Sequence, residues 1–264
     1  MRVFLEGVGL LGPGLCGWAA SRPLLAGTDA YVHAPTVITA SELLPPAERR
    51  RTGGSVKLAL AVGREAFANA ERDPASTATV FTSSGGDGEN VHQICETLAS
   101  VEREISPTRF HNSVHNAPAG YWSIATGSRE PSTSLCCYDA SFAAGLLEAA
   151  AQVVADCIPL GLIAYDQRYP QPLHAVRPMG ADFAVALILT PQPTGRTFAA
   201  LDVSHVQGES HVTPMTLPAL EAVRANVPAG RSLPLLAALA RERAAVVIVE
   251  YLGASRLRIA VQPC

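Results

Sequence analysis

Two continuously apolar runs constrain the fold more than anything else in this chain. Val185-Ala-Leu-Ile-Leu189 and Val246-Val-Ile-Val249 show no polar alternation, and branched aliphatic residues dominate them. Runs of this kind suit strands covered on both faces, which places the chain among α/β proteins with helices packed on a sheet. The rest of the sequence alternates accordingly. Strands are expected at Arg2–Leu11, Ala78–Ser83, Ser132–Tyr138, Leu160–Tyr165, Asp182–Thr190 and Thr197–Val206, with a closing hairpin of Ala244–Leu252 and Arg256–Gln262 around Gly253-Ala-Ser255. Helices are expected at Ser55–Ala70, Gly88–Ser100, Ala117–Thr126, Ala140–Cys157, Leu217–Val227 and Ser232–Arg243.

Composition narrows the function classes. A chain of 264 residues, 48% hydrophobic and 16% charged, can bury a sizeable core and fits one globular domain. The net charge is −3 and the basic residues are scattered, which argues against a nucleic-acid or polybasic membrane surface. No segment approaches the roughly 20 apolar residues that span a bilayer. Met1-Arg-Val-Phe-Leu-Glu-Gly7 reads as a strand rather than a signal peptide, so the expected location is the cytoplasm. The six cysteines (Cys16, Cys95, Cys136, Cys137, Cys157 and Cys264) form no C-x-x-C pair and are expected to be reduced and mostly buried.

The most distinctive local stretch is Pro131 to Ala150, which reads as a strand, a sharp turn and a buried helix. Asp139 falls at the turn. A carboxylate at a helix N-terminus is favoured by the dipole and can cap the first turn. Cys136 and Cys137 are expected still to lie in the strand, with side chains on opposite faces. His111 and His115 have the spacing of a helical metal pair, but Pro118 disfavours helix just before it and no third ligand follows. No metal or cofactor is expected. Gly85-Gly-Asp-Gly88 lacks the Lys-Ser/Thr of a phosphate loop and the spacing of a dinucleotide turn, and reads as a tight strand-to-helix connection. Arg49-Arg-Arg51 is a solvated run or a docking patch for an acidic carrier. His205 and His211 are structural or surface residues.

Three blocks in succession resemble the N-terminal half of the β-ketoacyl synthases, the thiolase-fold condensing enzymes. They are Val80-Phe-Thr-Ser-Ser-Gly-Gly-Asp-Gly88, Ile105-Ser-Pro-Thr-Arg-Phe-His-Asn-Ser-Val-His-Asn-Ala-Pro-Ala-Gly120 and Gly127-Ser-Arg-Glu-Pro-Ser-Thr-Ser134. The resemblance implies a thiolase-like layered α/β fold with a shortened second half, in one domain over 1–264. Residues 1–206 would correspond to the family's N-terminal half and 207–264 to a reduced C-terminal half.

The departures from that pattern bear on activity. The family presents a nucleophilic Cys where this chain has Asp139, which cannot form a labile thioester and would repel a malonyl carboxylate. The H-G-T turn and Gly-His pair of active members are absent. The resemblance therefore implies a catalytically silent chain-length factor of the type II polyketide kind, similar to those of aryl polyene pathways. Such a subunit pairs with an active ketosynthase as a heterodimer, meets acyl carrier protein through the complex, and shapes the acyl tunnel. By family analogy, Ser132, Thr133, Ser134, Leu135, Cys136, Asn116 and Ala119 would lie at the subunit interface. Phe110, His111, Val114, His115, Tyr121 and Trp122 would line or end the acyl channel. Two other readings stay open: an autonomous thiolase-fold acyltransferase or decarboxylase using Asp139 with His111 or His115, and a self-associating structural protein. Loss of turnover in Asp139→Ala would favour the former.

Overall fold

The computed structural model describes residues 1–38, 43–208 and 210–264. Its strands are β1 (Arg2–Gly12), β2 (Leu15–Cys16), β3 (Ala78–Thr82), β4 (Ser132–Leu135), β5 (Leu160–Asp166), β6 (Phe183–Thr190), β7 (Ala199–Gln207), β8 (Ala245–Glu250) and β9 (Ser255–Pro263). Its helices are α1 (Trp18–Ala26), α2 (Pro46–Arg51), α3 (Gly54–Asn69), α4 (Gly88–Ala99), α5 (Pro107–His111), α6 (Ala117–Thr126), α7 (Ser141–Asp156), α8 (Leu173–Val176), α9 (Pro218–Asn226) and α10 (Leu233–Ala240). Among the described residues, none of these helices is long and apolar enough to cross a membrane.

All nine strands join one mixed sheet, ordered β4-β3-β5-β6-β1-β7-β9-β8 with β2 paired to the end of β1. The apolar runs account for its centre. Every residue of β3, β5 and β6 is buried, and alternate residues enter two different cores. Leu160, Leu162, Val185 and Leu187 join Phe142 and Leu146 of α7 on one face. Ile163, Tyr165, Ala186 and Ile188 join Val62, Ala66 and Phe67 of α3 on the other. The sheet is thus sandwiched between α3 and α7. Contact with α3 is close because β1 supplies glycines. A Cβ at Gly7 would lie 2.2 Å from the Ala66 carbonyl oxygen, and one at Gly9 2.0 Å from that of Val62.

The run at 246–249 behaves differently from expectation. Val247 and Val249 are buried, but Val246 is 49% exposed. The helical layer that includes α10 covers only one face of the β8–β9 hairpin, so the other remains open. The cysteines also differ: all six are free, five are exposed and Cys137 is half-buried. They occupy element ends and outward faces: Cys16 closes β2, Cys157 follows α7, and Cys95 lies on the outer side of α4. Helices α1, α2, α5 and α8 were not evident from periodicity. They are short, and Pro lies at the N-terminal end of α2 and α5 and inside α1. The expected Ser232–Arg243 helix is α10 over Leu233–Ala240, preceded by a 3-10 turn over Ala229–Ser232.

Candidate functional site

The strand expected to run to Tyr138 stops at Leu135, in register with the end of its neighbour. Strand β3 ends at Thr82, and Ser83 N–H bonding to the Leu135 carbonyl closes the ladder. Beyond it Cys136 and Cys137 are outside the strand. The Cys136 thiol donates to the Ser84 carbonyl at 3.2 Å, and the Cys137 N–H donates to Ser141 Oγ at 3.1 Å. The chain then reverses through Tyr138, whose φ of 50° lies in the left-handed region. A 3-10 turn over Tyr138–Ala140 leads into α7. Burial, and then the neighbouring Cys136, push the Cys137 thiol pKa up, which opposes a thiolate.

Asp139 is not a helix cap. Ala140 occupies the cap position of α7, with no side-chain cap bond. Ser141 serves the turn instead, accepting from Cys137 N–H and donating to the Tyr138 carbonyl at 2.7 Å. The Asp139 carboxylate turns toward two arginines from distant segments. Arg177 Nη2 lies 2.6 Å from Oδ1 and Arg231 Nη2 lies 3.6 Å from Oδ2. Arg177 is fixed further by donation to the Tyr169 hydroxyl at 3.0 Å and by the Tyr138 ring, whose centroid is 3.7 Å from its guanidinium carbon. Burial works against its charge, but the bond to Asp139 and the nearby Tyr169 outweigh this and raise its pKa. Two guanidiniums around one carboxylate leave one net positive charge. The expected repulsion of an incoming carboxylate by Asp139 treated that charge in isolation and does not describe this surface.

Asp166, which was not singled out from the sequence, ties the neighbouring loops together. It is fully enclosed at the end of β5. Its Oδ1 accepts from Ser84 N–H at 2.8 Å and from the Ser84 hydroxyl at 2.6 Å, and its Oδ2 accepts from Ala229 N–H at 2.8 Å. Burial pushes its pKa up, and these donors oppose the shift. The Gly-rich turn has a steric reason. A Cβ on Gly85 would lie 2.2 Å from the Tyr169 hydroxyl, and one on Gly88 2.7 Å from the Tyr169 ring. The glycines thus admit the tyrosine that positions Arg177.

Four of the seven expected interface residues, Ser132, Ser134, Asn116 and Ala119, border one groove. Strand β4 is the outermost strand, pairing in parallel with β3 alone. Among the described residues its outer edge has no strand partner. Ser132 and Ser134 border a groove of about 440 Å³ with Asn116, Ala119, Gly120 and Ser123 of the α6 region. Thr133 faces the other side, accepting from Gln152 Nε2 of α7 at 3.1 Å, and Leu135 packs into the α7 core. Gly120 and Ser123 were missed, although their spacing from Asn116 on one helix face could have found them.

The channel candidates are dispersed. Phe110 and Val114 are 69% and 53% exposed. His111 meets the Tyr121 ring edge-on, with centroids 6.2 Å apart, while His115 Nε2 lies 3.1 Å from the Ser83 carbonyl. Neither histidine is among the hydrogen-bond or ion-pair partners of Asp139. The buried Tyr121 donates to Asn112 Oδ1. Trp122 packs between Phe67 and Phe81 in the core, so it has no free face for a channel. Glu209, between His205 and His211, lies outside the described residues; His205 packs edge-on against Tyr251. Among the described residues no group of three or more His, Cys, Asp or Glu is placed to hold a metal ion.

The β-ketoacyl synthase N-terminal domain model matches residues 20–249. Curated protein sequences return no match. Several solved structures share the fold over the whole chain. One is a ketosynthase (ApeO) in complex with its chain length factor (ApeC) from Xenorhabdus doucetiae, at 22% identity and TM-score 0.75, covering 98% of this chain and 99% of that one. The ishigamide ketosynthase/chain length factor aligns at 15% identity and TM-score 0.76, covering 100% and 99%. A β-ketoacyl synthase from Burkholderia phymatum STM815 aligns at 11% identity and TM-score 0.69, covering 100% and 99%. These likenesses confirm a thiolase-like ketosynthase fold.

Proposed function

The chain belongs to the β-ketoacyl synthase family, and from that premise we propose that it is a chain-length-factor-like subunit. In this reading it is catalytically silent, pairs with an active β-ketoacyl synthase and shapes the acyl tunnel of that complex. The observation that carries the reading is the free edge of β4 beside a groove of small residues. An unpaired strand edge in an otherwise packed sheet favours strand addition, and small side chains let a partner approach. The elbow supports silence from the other side. Its carboxylate is ion-paired to two arginines, and the H-G-T and Gly-His elements of active members are missing.

The partner is a catalytic ketosynthase, with acyl carrier protein engaged through the complex in the cytoplasm. The product class is polyketide, aryl polyene or fatty-acid-like, and no cofactor is required. Ser132 to Cys136, Asn116 and Ala119 contribute to the interface, and exposed Phe110 and Val114 face the channel once a partner is present. Residues 1–264 act as one domain; β7, β8 and β9 continue the sheet begun by β1 and so support that reading.

Reconstituted condensation tests the proposal. Product should require both the ketosynthase and this chain, with none from this chain alone. Turnover by the isolated chain that disappears in Asp139→Ala would refute it in favour of an autonomous enzyme.

A further inference from the structure

The arginines at the elbow have the properties of a ligand site. Their side chains are only 17% (Arg177) and 15% (Arg231) exposed. Among the described residues, the ion pairs of both go to Asp139 alone. Arg231 Nε is also buried without a hydrogen-bond partner. Desolvated guanidiniums require an anion, and their planar donors match a carboxylate whatever that carboxylate is attached to. Both arginines are held in place by their neighbours. Tyr169 and Tyr138 hold Arg177, Tyr169 is admitted by Gly85, and Arg231 lies in the turn after Ala229, which Asp166 anchors. The anion, in contrast, is 46% exposed and sits in the single 3-10 turn before α7.

We propose that Arg177 and Arg231 form a carboxylate-binding site whose resident ligand is the chain's own Asp139, and that removing this side chain opens the site to small monocarboxylates such as formate or acetate. Asp139 thereby closes the elbow against anions and ties it to the 177 and 231 segments. The site exists whether or not the chain pairs with a ketosynthase.

Thermal unfolding of the full chain as Asp139→Gly tests this, in sodium formate and in sodium chloride at equal ionic strength. The variant is expected to unfold about 3–6 °C below wild type. Formate at tens of millimolar should recover at least half of that loss in a saturable way while chloride does not, and wild type should not respond. Adding Arg231→Gln should weaken the formate effect several-fold. Equal responses to formate and chloride, an equal response in wild type, or no loss on Asp139→Gly would overturn the proposal. Should the glycine variant not accumulate, Asp139→Asn takes its place. It keeps the side chain's size, so it must unfold below wild type yet ignore formate, because the amide fills the site. An Asn variant as stable as wild type, or one rescued by formate, would equally overturn it.

Discussion

Asp139 Oδ1 and Arg177 Nη2 lie 2.6 Å apart, at the turn that leads into α7. The carboxylate at this position is therefore already engaged, and its partner is held over the Tyr138 ring. This pairing links the elbow to a segment 38 residues further along the chain.

If Asp139 has no chemical role, Asp139→Asn should leave product formation by the complex within about twofold of wild type, since loss of a general base or nucleophile costs about 100-fold or more. Initial rates with excess ketosynthase provide the check. A rate reduced by two orders of magnitude would assign Asp139 to catalysis.

A substitution at Gly120 should separate assembly from folding. A Cβ there would meet nothing within 4 Å, yet the residue borders the groove beside β4. Gly120→Trp should leave the chain's own unfolding midpoint unchanged or slightly raised, because glycine inside a helix is unfavourable by roughly 0.5–1 kcal/mol relative to alanine. The same variant, like bulky replacements at Ser134 or Ala119, should abolish co-purification with the ketosynthase. Retained co-purification would place the interface elsewhere.

Asp166→Asn should destabilise the fold by about 1–3 kcal/mol. One amide oxygen cannot replace two carboxylate oxygens facing Ser84 and Ala229, and the amide N–H would oppose a donor. Burial raises this carboxyl above its ordinary 3.8, so near that pH the native chain keeps a proton that the unfolded chain releases. The stability this group contributes falls as pH rises from about 3.8 through the folded value. Urea unfolding across that range should therefore show the gap between wild type and variant narrowing as pH rises. A constant gap would mean that the carboxyl is not perturbed.

Gly85 and Tyr169 should be energetically coupled. Gly85→Ala places a methyl against the tyrosine hydroxyl and should cost about 1–3 kcal/mol. Tyr169→Phe removes the obstructing oxygen, so the double variant should lose less than the sum of the singles by at least about 0.5 kcal/mol. Additive losses would show that Tyr169 moves away freely.

Much of this architecture was legible because it depends on local patterns. The apolar run at 185–189 marks a strand buried on both faces, and the small residues of Pro131 to Ala150 announce a strand, turn and helix. What was not legible depends on remote neighbours. The β3–β4 ladder closes at the bond from Ser83 N–H to the Leu135 carbonyl, and the arginines facing Asp139 come from a Pro-rich joint and from a turn between two helices. Asp166 did leave a signal, a lone acid closing the apolar strand Leu160-Gly-Leu-Ile-Ala-Tyr165. Val246 misled because an apolar run records how apolar its residues are, whereas burial depends on whether a helix covers the second face.

Native mass of the tagged chain, expressed with and without a ketosynthase from the same genome, distinguishes a heterodimer subunit from a self-associating protein. A one-to-one complex is expected, and its formation should be lost in Gly120→Trp. A stable homodimer that ignores the ketosynthase would contradict the proposed pairing.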